Sequence, residues 1–193
     1  MSSVAKRCYT VEEYLDFEVS SHDKHEFFQG EIFAMTGGSS NHNRIAFNIG
    51  AQLDRQLEGR PCQPFASDTR VKVVATGLYT YPDVTVACDP QFEVARLETL
   101  LNPKVLVEVL SPSTAAYDQR TKLSHYQQIP TAQEILFVAQ DRYWVEHFFR
   151  EAEGQWQQAV VTGLENELRL ASIDCRLSLA KIYARVRISD DSE

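Results

Sequence analysis

The 193-residue chain has no apolar run near the roughly 20 residues that cross a bilayer. Its opening stretch, Met1 to Arg7, lacks the apolar core of a secretory signal. A soluble, cytoplasmic protein is therefore expected. The four cysteines, Cys8, Cys62, Cys88 and Cys175, form no C-x-x-C pair. Scattered in such a chain, they are expected to be reduced thiols. No Gly-Lys-Ser/Thr follows Gly37-Gly38, which excludes a phosphate-binding loop. No G-x-S-x-G surrounds Ser111 or Ser113, which argues against a serine hydrolase. His22 and His25 are three apart, but beside Asp23 and a strand-like run they read as surface histidines. Positive charge is also scarce. Against 27 Asp+Glu stand 19 Lys+Arg, a net charge of −8, so the whole surface cannot bind nucleic acid or an anionic membrane non-specifically. The deficit is uneven, because residues 61–130 carry six basic and seven acidic groups, which is where an anion is least repelled. No repeat or linker interrupts the chain. Its length fits one domain over residues 1–188, with Ser189 to Glu193 as an acidic tail.

What is present alternates between helical and strand periods. Thr10 and Glu13 form a capping box that predicts a helix to about Val19. His25 to Met35 reads as a hairpin around Gln29-Gly30. Ser40 or Asn41 is placed to cap a helix whose stripe is Ile45, Ile49, Leu53 and Leu57, stopped by Gly59 and Pro61. Val71 and Val73 alternate with Arg70 and Lys72 as on a half-buried strand, and the segment from Tyr79 to Cys88 reads as its return. Val105 to Leu110 is a strand buried on both faces. Ser111-Pro112-Ser113-Thr114 then turns into a helix ending near Gln128. Strands follow at Glu134 to Ala139, Tyr143 to Arg150 and Gln155 to Val161. A last helix is expected over about Leu177 to Val186. The fold class is α/β (α+β), a central mixed sheet flanked by helices.

One residue breaks these patterns. Glu108 lies in the middle of the most apolar strand, where an ionised carboxylate costs several kcal/mol unless paired, hydrogen-bonded or metal-bound. Pairing with a cation such as Arg70 is one solution. Asp83 suggests another. It starts a strand 25 residues earlier, and two strand-end carboxylates brought together repel until a divalent cation relieves them. Mg²⁺ or Mn²⁺ is the expected guest of such hard-oxygen donors. Lys122, on the following helix, is either aimed at these strand ends or paired on the helix surface with Asp118. Arg44, Arg55, Arg70, Lys72, Arg120 and Lys122 make a basic groove only if they converge. Tyr79, Tyr81, Tyr117 and Tyr126 read as packing groups.

The strings Pro82-Asp83, Val107-Glu108-Val109-Leu110-Ser111-Pro112-Ser113-Thr114, Tyr117-Asp118 and Lys122-Leu123 resemble the Uma-two family of restriction-endonuclease-like proteins. Gly30 to Met35 with His42, and Glu134 to Val138 before Tyr143 to Arg150, extend the resemblance over about residues 10–185. It implies a PD-(D/E)xK nuclease fold, with Asp83 and Glu108 as metal ligands. The wider superfamily carries a lysine two residues after the Glu, where this chain has Leu110. The resemblance implies that Lys122 substitutes from the helix, with Glu31 and His42 as supporting residues. The function implied is metal-dependent hydrolysis of DNA phosphodiester bonds, and a homodimer is expected by analogy with duplex cutters. Leu110 and the charge of −8 support a second reading, a catalytically silent nuclease-like binding or regulatory module.

Overall fold

The computed structural model describes residues 7–35, 37–94, 97–111 and 115–188. The tail, the Pro112 to Thr114 turn and the side chains of Tyr117 and Asp118 lie outside them, so the expectations resting on those residues are carried no further. The order begins with helix α1 (Val11–Ser20), the hairpin β1 (His25–Phe28) and β2 (Glu31–Ala34), and helix α2 (Ser40–Leu57). Thr10 and Glu13 make the expected reciprocal cap. Gln29 and Gly30 both take positive φ, the geometry a two-residue hairpin turn requires. The α2 cap is Ser39, one residue earlier than expected, its side chain accepting from the His42 amide at 3.1 Å. The stripe Ile45, Ile49, Leu53 and Leu57 is fully buried.

Strands β3 (Cys62–Ala66), β4 (Arg70–Val73), β5 (Leu78–Thr80), β6 (Val84–Cys88), β7 (Phe92–Val94), β8 (Glu98–Leu100) and β9 (Val105–Leu110) follow. The segment expected to return as one strand from Tyr79 to Cys88 is divided. β5 pairs with β4, whereas β6 pairs with β3 and β9 in another sheet. Pro82 supplies no ladder donor and marks the break. Helix α3 (Ala115–Tyr126) then leads to β10 (Glu134–Ala139), β11 (Trp144–Arg150), β12 (Trp156–Thr162), β13 (Glu167–Leu170), β14 (Cys175–Ser178) and the one-turn α4 (Leu179–Ile182). The expected closing helix is thus shortened to the single turn of α4, and the residues before it form a hairpin. Leu168 pairs with Leu177 and Leu170 with Cys175, burying alternate residues with period 2.

Two six-stranded sheets result, ordered β2-β1-β5-β4-β8-β7 and β12-β11-β10-β9-β6-β3. In the second, β9 and β10 are parallel and joined by α3, a βαβ crossover inside an otherwise antiparallel sheet. The β9 run is apolar on both faces for a visible reason. Val105, Val107 and Val109 pack in the cluster with α2, β13–β14 and α4, while Leu106 and Leu110 pack with Tyr126 of α3. Glu108, two residues from each of Leu106 and Leu110, shares their face and so faces α3.

The cysteine expectation is corrected. Cys62 and Cys88 sit directly opposite on β3 and β6 and are joined by a disulfide, with Cys8 and Cys175 free. Only strand pairing brings these two together, so their sequence separation of 26 concealed the bond. Closing a loop of that length is worth about 2–4 kcal/mol through the unfolded chain. Urea unfolding of Cys62→Ser/Cys88→Ser, or of the wild type in excess reductant, is expected to show that loss; an unchanged midpoint would mean the bond adds nothing.

Candidate active site

Six elements, β1, α2, β5, the start of β6, β9 and α3, contribute where the two sheets meet. The register Val84↔Val107 between β6 and β9, continued by one residue, sets Asp83 against Glu108. Asp83 Oδ2 accepts from the Val109 amide at 2.7 Å, which ties this acid to the β9 backbone. From α3, Lys122 Nζ lies 3.1 Å from Glu108 Oε1 and 3.0 Å from Glu26 Oε1. Tyr126, one turn on, donates to Glu108 Oε1 at 2.5 Å. Thr80, at the end of β5, donates to Glu26 Oε1 at 2.5 Å. His42 Nε2 is 3.2 Å from Asp83 Oδ2.

Asp83, Glu108, Lys122 and His42, all named from the sequence, are therefore brought together. Lys122 is not a surface lysine, since its side chain is 14% exposed and held by two carboxylates. Leu110 also finds its explanation. It faces α3 as Glu108 does, yet it fills the apolar cluster around Tyr126, and the amine arrives from α3 instead. Glu31 is on the neighbouring strand, on the same hairpin face as Glu26. It lies opposite Phe28 on the edge strand β2, and Glu26 of β1 is the acid on Lys122. Arg70 is not the partner of Glu108 either. It is buried against Thr99 and the Leu97 carbonyl, and Lys72 pairs with Glu93, so the basic groove is not assembled from them. His25 is paired with Glu18 at 3.1 Å rather than free on the surface.

Glu26, Thr80 and Tyr126 were missed. Tyr126 stands four residues after Lys122, so a shared α3 face was available as a signal. Glu26 and Thr80 enter through long-range strand pairing, which no local spacing reveals.

The electrostatics follow from burial. Loss of water pushes the Glu108 carboxyl up to about 7, with Asp83 adding to the rise while Lys122 and Tyr126 oppose it. Burial alone would lower Lys122, but Glu108, Tyr126 and Glu26 outweigh it and hold the amine well above its ordinary value. Burial likewise opposes charge on His42, and the hydrogen bond and charge of Asp83 overcome it. Tyr126 is held strongly protonated by burial and by Glu108. The His42 ring is closely covered, since a Cβ on Gly38 would fall 2.5 Å from its Nδ1.

The donors suit a hard cation. Asp83 and Glu108 are near enough for one to raise the other, and Mg²⁺ binds through one or two carboxylates completed by waters and substrate phosphate. Among the described residues no group of three or more His, Cys, Asp and Glu is arranged to hold a metal alone, so an ion on this pair would need further oxygens.

A mixed sheet whose parallel pair presents a carboxylate, and whose crossover helix returns a lysine to it, defines a restriction-endonuclease-like, nuclease-type fold. The family model Uma2, described as "Putative restriction endonuclease", matches residues 11–180, and the chain belongs to that family. It is 37% identical over 163 residues to "Uncharacterized protein sll1609" of Synechocystis sp., covering 84% of this chain and 92% of the relative. It is 38% identical over 172 residues to "Uncharacterized protein slr1290" of the same organism, covering 89% and 90%. A solved structure from Anabaena variabilis, described as "a putative nuclease belonging to DUF820", superposes with a TM-score of 0.74 at 17% identity, covering 90% of this chain and 97% of that one. That likeness supports the fold.

Removing one member of a buried ion cluster strands the rest, at about 3–5 kcal/mol. Lys122→Met is expected to lose that much at about pH 8. In this variant a lone buried Glu108 binds a proton more tightly than in the unfolded chain. Stability therefore falls as pH rises through its raised value, and the deficit shrinks near pH 5.5. Adding Glu108→Gln should recover part of the loss. Urea curves at both pH values read this, and a pH-independent, additive loss would contradict the pairing.

Proposed function

We propose that the protein is a metal-dependent endonuclease hydrolysing DNA phosphodiester bonds. The observation that carries this reading is the convergence of Asp83, hydrogen-bonded to the β9 backbone at Val109 and set against Glu108 by the strand register, with Lys122, whose Nζ lies 3.1 Å from Glu108. Family membership supports nucleic acid as the substrate class. Asp83 and Glu108 would hold Mg²⁺ or Mn²⁺, which when bound supplies a Lewis acid and a water of lowered pKa. Lys122 is fixed as an ammonium beside the carboxylates, where it can hydrogen-bond a phosphate oxygen and offset charge developing there. Tyr126 and Glu26 set the direction of that amine and of the Glu108 carboxylate. His42 holds Asp83 from the other side. No side chain need act as nucleophile, so the cysteines have no place in the reaction. The described residues form one such site, so a single copy is expected to nick a duplex plasmid before linearising it, and a homodimer to cut both strands. Cytoplasmic residence belongs to this reading and is not needed by its chemistry.

Plasmid nicking in Mg²⁺ and in Mn²⁺ tests the proposal. Asp83→Ala, Glu108→Ala and Lys122→Ala, each first shown to be folded, should lower the rate by about a hundredfold or more. Cutting at the wild-type rate by these variants would overturn the assignment. A metal titration gives a second check. With Glu108 titrating at about 7, protons compete with the ion below that pH. Mn²⁺ affinity by calorimetry should rise about tenfold per pH unit up to about 7 and then level. Binding that ignores both pH and Glu108→Gln would favour a silent nuclease-like module.

A further inference from the structure

The hairpin that delivers Glu26 also delivers an aromatic ring. Glu26 is paired across the ladder with Phe33, so both side chains leave the same face of the sheet, the face toward α3. Their neighbours on that face differ in cover. Phe28 is capped edge-on by the His125 ring at 4.7 Å, whereas Phe33 remains 45% exposed. The opposite face of the hairpin, Phe27 and Ile32, is spent against α1. Phe33 is thus a half-exposed phenyl ring beside the carboxylate that lies 3.0 Å from Lys122. It sits on β2, an edge strand, with one side open.

Charge gives this ring its meaning. A protein with net charge −8 has little with which to track a phosphate backbone. The cation inside the cluster is already shared by two carboxylates, and Arg70 and Lys72 are engaged elsewhere. With these three cations committed, contacts that need no cation gain weight in binding nucleic acid beside the cluster. Base–aromatic stacking is such a contact, and it requires a base not held in a duplex stack.

We propose that Phe33 is a base-stacking residue, and that nucleic acid carrying an unpaired nucleotide next to the scissile phosphate is bound in preference to a fully paired duplex. This rests on the nuclease reading of the same site. The ring of Phe33 takes the face of that base while the adjoining phosphate reaches Lys122. Few phosphates are neutralised, so binding depends weakly on salt.

The test is a cycle between protein and ligand. Binding of a short labelled oligothymidylate in EDTA is followed by anisotropy for wild type, Phe33→Ala and Phe33→Trp. It is repeated with an oligonucleotide lacking the base at one position and with a duplex. Phe33→Ala should weaken single-strand binding roughly 5- to 150-fold. Phe33→Trp should restore it, and the abasic ligand should make the variants equal. Log affinity against log salt should have a slope of magnitude about 2 or less, corresponding to three or fewer phosphates. In cleavage, Phe33→Ala should raise KM while leaving kcat nearly unchanged. If the wild type binds and cuts but Phe33→Ala does so equally well, stacking is wrong and the nuclease reading stands. If the wild type neither binds nor cuts any nucleic acid, both fall. A concentration-dependent dimer lost in Phe33→Ala, with oligonucleotide affinity unchanged, would make β2 a protein contact and overturn the proposal.

Discussion

A carboxylate in the middle of a doubly covered strand is the constraint from which the site follows. Glu108 cannot stay charged beside Leu106 and Leu110 without a compensating cation. Lys122 supplies it at 3.1 Å, and Tyr126 adds a hydrogen bond to the same oxygen. Because both groups lie on α3, the helix is docked on β9 by chemistry as well as by apolar packing. The crossover from β9 through α3 to β10 is therefore both a topological connection and the device that returns a cation to the carboxylate.

The second sheet has its place in this arrangement. β5 and β6 are adjacent in sequence but belong to different sheets, and the passage between them through Tyr81-Pro82 leaves Thr80 and Asp83 on either side of the same junction. Glu26 reaches that junction from β1. Acids drawn from two sheets then share one ammonium, so motion of one sheet against the other would alter the charge balance of the cluster. Buried ion networks cost desolvation, and this one is kept where the chain's chemistry is concentrated.

Much of this was legible in the sequence where the signals were local. The Thr10–Glu13 box, the Gln29-Gly30 turn, the α2 stripe and the buried β9 run each depend on residues within a few positions of one another, and each is found in the structure. Glu108 was conspicuous because it violated its own strand. Asp83, Lys122 and His42 stood out with the help of the family resemblance, and the structure gathers them. Non-local features were opaque. The split between β5 and β6, the Cys62–Cys88 bond and the arrival of Glu26 all depend on which strands pair. At the C-terminal end, Leu177 fits the start of the helix that holds Leu179 as readily as a strand, and only its pairing with Leu168 draws it into β14. Glu31 was visible as a supporting residue because it stands in the quoted motif, whereas Glu26, five residues earlier and 3.0 Å from Lys122, carried no such signal.

The central claim is that Lys122, not a residue on β9, carries the positive charge of this site and is held there by Glu108 and Glu26. Nitrogen-15 NMR of the lysine ammonium groups reads it directly, with Lys122 assigned by its loss in Lys122→Arg. The account predicts that this signal keeps its ammonium shift through the range near 10.4 where ordinary lysines titrate, and that Glu108→Gln lowers its titration. A Lys122 signal that titrates with the other lysines, and that is indifferent to Glu108→Gln, would contradict it.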